Sequence, residues 1–139
     1  MPRLIVPDAS IIIKWALPTA GEQAAEQALE FLADWQAGAI DLLAPSLWRY
    51  EVTNVLARKA GGSAIALLSA LLELELPTVD PDRQLLVDAV GITTRLPGVT
   101  VYDAAYHALA LRVRGVFVTA DERYFRRARR LGAVELLGS

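Results

Sequence analysis

The sequence predicts an α/β fold in which helices cover both faces of a short, mainly parallel sheet. Brief apolar runs such as residues 4–6 and 116–118 alternate with longer segments of helical periodicity, the pattern of strand–helix–strand units. The chain has 139 residues, of which 54% are hydrophobic, enough for one domain with its own core. No repeat, linker or low-complexity segment divides it, so residues 1–139 are predicted to form a single domain.

The first part of the chain is predicted to form a strand followed by helices. Residues 3–7 read as a buried strand, and residues 10–15 as a short helical turn that Pro18 stops. Residues 21–37 place alanine, leucine and tryptophan at helical period, with glutamates on the opposite side. Asp8 therefore falls just beyond a strand end.

The middle of the chain continues the alternation. Residues 42–44 are predicted to be a strand, and Ser46 is expected to cap a helix over residues 47–59 that contains Glu51. A glycine pair ends this helix. The next segments are an apolar helix, a brief extended stretch and a helix that a Pro-Gly pair ends; these are residues 63–74, 76–79 and 83–96.

The last part of the chain is predicted to deliver two aspartates to the same edge of the sheet. Residues 99–102 read as extended and lead to Asp103 at the start of a helix, which Gly115 ends. Residues 116–119 form a compact strand, Asp121 opens an arginine-rich helix, and residues 133–137 supply a last strand. Ligands of parallel sheets bind beyond the carboxyl ends of the strands, so the aspartates after strands are expected to converge with Asp8.

Four acidic residues lie where an apolar segment ends or inside an apolar helical stripe. They are Asp8, Glu51, Asp103 and Asp121. An unpaired carboxylate beside a core costs several kcal/mol, on the order of the effective penalty for a buried ion. Hard oxygen ligands suit Mg²⁺ or Mn²⁺, so a divalent cation held by these acids is the favoured interpretation.

Short polar side chains accompany the acids and are predicted to orient a carboxylate or a water at the site. They are Ser10, Asn54 and Thr119. His107 lies one helical turn after Asp103, but a packed or surface histidine is the favoured interpretation, and it is not assigned as the general base.

Each acid also has a purely structural alternative. Asp103 and Asp121 could simply cap helices, and Asp8 could be a turn residue. Glu51 is harder to explain, because its helical neighbours are mostly apolar, although an ion pair with Arg49 or Arg58 remains open.

The charge distribution suggests a nucleic-acid contact in one region only. Net charge is −2 and the pI is about 5.4, so the chain lacks the overall basic charge of many nucleic-acid binders. Four arginines recur at helical spacing near the C-terminus and are predicted to contact an RNA backbone; a solvated helix face is the alternative. They are Arg123, Arg126, Arg127 and Arg130.

Composition excludes several classes of site. There are no cysteines, which removes disulfides, thiolate metal sites and a cysteine nucleophile and is compatible with a reducing cytosol. Pro7, Asp8 and Lys14 interrupt the apolar N-terminal run before it reaches the form of a signal peptide. The longest apolar stretch, residues 64–72, falls short of the ~20 residues that a membrane helix needs, so no membrane span is expected.

Four segments, in this order, resemble the successive motifs of PIN domains and, most closely, those of small VapC-type toxins. The segments are Pro7-Asp8-Ala9-Ser10, Pro45 to Glu51 with Asn54, Tyr102-Asp103-Ala104-Ala105-Tyr106, and Val118-Thr119-Ala120-Asp121-Glu122-Arg123. Each is weak alone, but together they span nearly the full chain.

The resemblance implies a three-layer α/β/α domain with a Mg²⁺- or Mn²⁺-dependent ribonuclease site. Asp8, Glu51, Asp103 and Asp121 match the acidic quartet of the family by position, and Thr119 matches its small hydroxyl residue. It also implies a cytoplasmic homodimer, a VapB-type antitoxin as partner, and tRNA, rRNA or mRNA as substrate.

Three rival interpretations remain beside the ribonuclease. The main one is a catalytically silent PIN-like module that binds RNA or an antitoxin. A phosphatase is disfavoured, since no second aspartate stands two positions after Asp8 and no Gly-rich phosphate loop is present. A purely structural domain is disfavoured by Glu51.

Overall fold

The computed structural model describes residues 2–18 and 23–138, so the predicted helix start at Gly21 lies outside the described residues. Strands and helices alternate along the chain. Their bounds are β1 Arg3–Pro7, α1 Ala9–Ala16, α2 Gln23–Gln36, β2 Ile40–Leu42, β3 Ala44–Pro45, α3 Trp48–Lys59, α4 Ala64–Glu73, β4 Thr78–Val79, α5 Arg83–Arg95, α6 Val101–Val113, β5 Val116–Thr119, α7 Glu122–Ala128 and β6 Val134–Leu136. Short 3₁₀ helices follow α3 and α7, at Gly61–Ser63 and Arg129–Leu131.

The main sheet has four strands in the order β2-β1-β5-β6, and every neighbouring pair is parallel. From the central pair β1 and β5, the chain crosses to β2 on one side and to β6 on the other. The connection from β1 to β2 and the connection from β5 to β6 run in opposite directions across the sheet. Because connections between parallel strands are right-handed, the helices of these two connections lie on opposite faces of the sheet. The predicted α/β class with a mainly parallel central sheet is confirmed.

The predicted strand over residues 42–44 is wrong in one respect, because the chain changes sheets there. β2 ends at Leu42 on the edge of the main sheet, whereas β3 pairs in parallel with β4 in a separate two-stranded sheet. Leu43 lies between them, and its backbone N–H donates to the carbonyl of Ile5 at 3.1 Å. The change of sheet turns the chain away from β1 before α3 begins.

Two predicted helix starts are also corrected. The extended segment over residues 99–102 is in part helical, because α6 begins at Val101 with Thr100 as its N-cap. Ser46 does not cap α3, whose N-cap residue is Leu47 with no side-chain cap. Asp103 therefore lies inside the first turn of α6 rather than at its cap.

The core forms where β1, β5 and α6 pack together. Residues 104–110 of α6 are all buried, as are Ile5, Val6, Phe117 and Val118 at the centre of the sheet. The rings of Tyr106 and Phe117 stack with their centroids 5.7 Å apart. Burial on both sides explains why these strands read as continuous apolar runs.

Gly115 allows β5 to approach β1 closely. A Cβ added at this position would lie 2.8 Å from the carbonyl oxygen of Leu4. No L-residue fits that space without movement of the backbone. In the described part of the chain, no helix has both the length and the apolar character needed to cross a membrane.

Candidate functional site

Asp8 lies directly beyond β1, at the point where the chain connections of the sheet diverge. Its backbone N–H donates to the carbonyl of Val118 at 2.9 Å, which fixes Asp8 beside the end of β5. The side chain is 7% exposed, and its Oδ2 accepts hydrogen bonds from the hydroxyls of Ser10 at 2.7 Å and Thr119 at 3.0 Å. Burial raises the pKa of Asp8, although both hydroxyls oppose this by stabilising the carboxylate.

Thr119 connects Asp8 to Asp121. Its hydroxyl donates to Asp8 and accepts a hydrogen bond of 3.0 Å from the backbone N–H of Asp121. Asp121 also caps α7, since its Oδ1 accepts from the N–H of Tyr124 at 3.0 Å. Asp121 therefore has the capping role that the sequence left open. Its side chain is exposed at the entrance of the site.

Glu51 lies in the first turn of α3 and is hydrogen-bonded by a phenol. Tyr106 donates to Glu51 Oε1 at 2.7 Å. Burial raises the pKa of Glu51 to about 7, with further increases from the charges of Asp8 and Asp103, while the hydrogen bond from Tyr106 lowers it. The ion pair with Arg49 or Arg58 that the sequence left open is absent among the described residues, where Arg49 donates instead to Thr78 at 3.2 Å.

Asp103 is half-buried in the first turn of α6. Its backbone N–H donates to the hydroxyl of Thr100 at 3.2 Å, so the side chain has no capping duty. Burial raises the pKa of Asp103 to about 6, with additional increases from the charges of Asp8 and Asp121.

The four acids lie around two adjoining pockets, and Asp103 borders both. One pocket is lined by residues that include Asp8, Ser10, Glu51, Asn54 and Asp103. The other is lined by Gly98, Val99, Asp103, Asp121, Arg123, Tyr124 and Arg127. In the part of the chain that is described, none of the four acids forms an ion pair with a basic residue, so no direct ion pair offsets their mutual repulsion.

The acids suit a hard divalent cation in chemistry, although they do not enclose one. Within residues 2–18 and 23–138, no group of three or more acidic, histidine or cysteine side chains is arranged to hold a metal ion. Mg²⁺ commonly keeps several waters and uses only one or two carboxylates together with substrate phosphates. Buried carboxylates with raised pKa values and no basic partner are the groups that such an ion would stabilise. The donor set therefore fits an ion that retains part of its water shell.

The predicted arginine stripe is divided between two helices. Arg123, Arg126 and Arg127 belong to α7, but Arg130 lies in the 3₁₀ helix that follows. Arg123 and Arg127 line the pocket that holds Asp103 and Asp121. Arg126 instead pairs with Glu122 on the outer surface of α7. The single helical face expected from the sequence is thus only partly present.

Two buried side chains behind the acids were not predicted to take part in the site. Tyr106 is fully buried and holds Glu51; its spacing of three residues from Asp103 on one helix was the available signal. Tyr124 borders the pocket of Asp103 and Asp121, and its hydroxyl lies 2.8 Å from Nδ1 of His107.

His107 is a buried structural residue, as the sequence favoured. Its Nε2 lies 2.7 Å from the carbonyl oxygen of Gly132, so this nitrogen must carry a proton, and Nδ1 then accepts from the hydroxyl of Tyr124. Burial lowers the pKa of His107, which keeps the ring neutral.

Comparison with known proteins gives one family. A sequence model of the PIN domain matches residues 5–131. No curated protein matches the chain in sequence. Among solved structures, a chain of a toxin-antitoxin complex from Klebsiella pneumoniae superposes with a TM-score of 0.64 at 16% identity, over 94% of this chain and 95% of that one. At this identity the likeness concerns the fold alone, but the sequence match covers most of the chain, which therefore belongs to the PIN-domain family.

Proposed function

We propose that this protein is a metal-dependent endoribonuclease of the VapC toxin type, which hydrolyses RNA phosphodiester bonds at the acidic site. One observation carries the proposal: three carboxyl groups with raised pKa values, one directly after β1 and one each on α3 and α6, line one pocket without a basic partner among the described residues. Membership of the PIN family supports the proposal, because PIN domains are generally nucleases.

Asp8 and Asp103 are the principal cation ligands in this proposal, while Glu51 and Asp121 act through water or a second ion. A bound Mg²⁺ or Mn²⁺ would supply an activated water and neutralise charge on the scissile phosphate during in-line displacement. Ser10 and Thr119 hold one oxygen of Asp8, which orients the other. Asn54, which lines the same pocket, is proposed to orient water.

The arginines extend the proposed site toward the substrate. Arg123 and Arg127 border Asp103 and Asp121, where their guanidinium groups suit the phosphates on either side of the cleaved bond. Arg126 and Arg130 are proposed to contact the backbone farther away. Such contacts position an RNA but do not read its sequence.

Cleavage of RNA by purified protein tests the proposal. We expect degradation of tRNA, rRNA or mRNA with Mn²⁺ or Mg²⁺, none with a chelator, and none from Asp103→Asn purified in parallel. An exposed aspartate on β2 provides a matched control, Asp41→Asn, which should cleave like the parent. Equal degradation by the parent and Asp103→Asn would mean a contaminating nuclease.

A catalytically silent module that binds RNA or an antitoxin is the second candidate. It is favoured by the spacing of the acids, because no group of three or more acidic, histidine or cysteine side chains among the described residues is arranged to hold a metal ion. RNA binding without cleavage under any divalent cation, with Asp103→Asn binding as the parent does, would establish this alternative.

The partners proposed are a VapB-type antitoxin and a second copy of the chain, in the cytoplasm. The structural neighbour was solved as a toxin-antitoxin complex. Tyr50 and Ile65, on α3 and α4, are 85% and 80% exposed and are proposed to contact a partner, whereas Trp48 on α3 is buried. An antitoxin arginine placed among the four acids would compete with the cation. Antitoxin affinity that is unchanged in Asp8→Asn and Asp103→Asn would remove this mode of inhibition.

A further inference from the structure

A cleft lined by arginines, here called the arginine cleft, lies beside the acidic site, between the end of α5 and the end of α7. Leu96 and Leu131 form part of its lining and pack against the hydrophobic core. The other lining residues are arginines from three different elements: Arg95, Arg126, Arg127, Arg129 and Arg130. Arg95 and Arg129 were not among the four arginines predicted to contact an RNA backbone.

The cleft concentrates positive charge in a chain whose net charge is negative. Five of the 14 basic residues line it, although the whole chain carries −2. Among the described residues, Glu122 is the one acid that forms an ion pair with any of these arginines, and it pairs only with Arg126. A bound anion would reduce the repulsion among these guanidinium groups. A guanidinium group is planar, and its N–H donors can form two parallel hydrogen bonds to phosphate oxygens.

Arg127 joins this cleft to the acidic site. It lines both the arginine cleft and the pocket of Asp103 and Asp121. Its guanidinium lies against the turn after α5, where a Cβ added to Gly98 would lie 3.3 Å from Nη1. Gly98 has a φ of +89°, a conformation that glycine adopts readily, so both the turn and the space favour glycine. The two pockets are therefore consecutive positions along one surface.

We propose that the arginine cleft is a second phosphate-binding site, which holds the backbone of single-stranded RNA flanking the phosphate at the acidic site. This rests on the proposed ribonuclease function for the role of the neighbouring pocket. Arg95, Arg129 and Arg130 bind flanking phosphates, and Arg127 bridges the two positions. Arg126 contributes less, because Glu122 already neutralises it.

Salt-dependent RNA binding by matched double variants tests the cleft. All proteins carry Asp103→Asn so that the probe, a short fluorescein-labelled single-stranded RNA, is not cleaved. The test pair is Arg95→Gln with Arg130→Gln. The control pair is Arg58→Gln with Arg83→Gln, which removes equal charge from exposed arginines without ion pairs among the described residues. Arg83 begins the helix that Arg95 ends, about 18 Å away at 1.5 Å of rise per residue.

We expect the test pair to lower the slope of log affinity against log salt by about 1.4, the value for two lost phosphate contacts on a single strand. At about 0.1 M salt this corresponds to roughly 25-fold weaker binding. The control pair should change the slope little. The proposal would be wrong if the two pairs lowered the slope equally, or if the parent did not bind the RNA.

Two further measurements distinguish this proposal from binding of an acidic polypeptide and from the ribonuclease proposal. Polyglutamate that binds more tightly than RNA, and that loses affinity in the test pair, would instead indicate an acidic polypeptide as the occupant and overturn the RNA assignment. Mn²⁺-dependent cleavage is measured with the native Asp103. If the protein cleaves RNA but the test pair weakens RNA binding no more than the control pair, only the proposal for the arginine cleft is wrong. If the test pair specifically weakens RNA binding but the protein does not cleave RNA, only the ribonuclease proposal is wrong.

Discussion

Tyr106 donates a hydrogen bond of 2.7 Å to Oε1 of Glu51, a residue 55 positions away in the sequence. The phenol cannot follow a moving carboxylate, because its ring is fully buried and stacked on Phe117. The core therefore fixes one oxygen of Glu51 and the direction of the other. In this way α6 sets the geometry of two acids, Asp103 on its own first turn and Glu51 on α3.

We expect Tyr106→Phe to weaken Mn²⁺ binding or cleavage by about 10- to 100-fold, the usual effect of losing a group that orients a ligand. The ring packing survives in this variant, so stability should fall by only about 0.5–1.5 kcal/mol from the lost hydrogen bond. Titration calorimetry with Mn²⁺ and urea unfolding measure the two effects. Tyr50→Phe on the exposed face of α3 is the control; an equal loss in both variants would contradict the role of Tyr106.

Mg²⁺ or Mn²⁺ should raise the melting temperature of the parent protein, because the ion binds the folded state and relieves repulsion among the acids. At a hundredfold excess over Kd, binding contributes about 2.7 kcal/mol. Asp8→Asn should lose this shift, and Asp41→Asn on β2 should keep it. A parent protein whose melting is the same in chelator and in Mn²⁺ would contradict the cation site.

The metal-free protein should become less stable as pH rises from about 4.5 to about 7. The pKa of Glu51 is raised to about 7 and that of Asp103 to about 6, so the folded state binds more protons than the unfolded state over this range. The stability they confer is complete at low pH and is lost as each carboxyl ionises in the folded state.

His107 acts in the opposite direction, because its pKa is lowered from 6.5 and the folded state then binds fewer protons below that pH. Glu51, whose pKa is raised to about 7, still ionises in the folded state above pH 6.5 and opposes the effect of His107 there. Glu51→Gln should flatten this part of the curve, measured by urea unfolding in chelator across the pH series. Parallel curves for the parent and Glu51→Gln would show that Glu51 does not titrate there.

Gly115→Ala should destabilise the fold by about 1–3 kcal/mol, the typical cost of overpacking. The added Cβ would lie 2.8 Å from the carbonyl oxygen of Leu4, where β5 meets β1. Gly91→Ala is a matched control, since its Cβ would contact nothing within 4 Å. At that position inside α5, alanine should stabilise by about 0.5–1 kcal/mol. Urea unfolding should give opposite signs, and equal signs would contradict the close approach.

The sequence predicted the central strands and the position of Asp8 after β1 well because the responsible signals are local. β1 and β5 are buried on both faces, so each appears as an apolar run that ends at a polar residue. The parallel order then follows from the alternation with helices, and it brings the ends of both strands to the same edge.

The start of α6 was mispredicted because two local preferences compete. Residues 99–102 contain valine, threonine and tyrosine, which favour strands. Thr100 nevertheless accepts from the backbone N–H of Asp103, as a threonine N-cap does. Val101 and Tyr102 are exposed and, within residues 2–18 and 23–138, no strand lies beside them, so capping prevails over strand pairing.

The partner of Glu51 could not be predicted from neighbouring residues. Arg49 and Arg58 were considered because they are close in sequence, whereas Tyr106 becomes close only when α6 packs against the sheet. The arginine cleft is similar: Arg95 and Arg130 belong to different elements and meet only through tertiary packing. Contacts of this kind depend on topology rather than on periodicity.

The pairing of β1 with β5 also determines when the site can form during synthesis. The neighbour of β1 in the sheet, β5, and the hydroxyl of Thr119 that holds Asp8 are made more than 100 residues after β1. During synthesis, domains generally fold as units. Until β5 emerges, β1 has one open edge and Asp8 lacks half of its hydroxyl partners. The acidic site therefore cannot assemble until β5 and Thr119 have been synthesised.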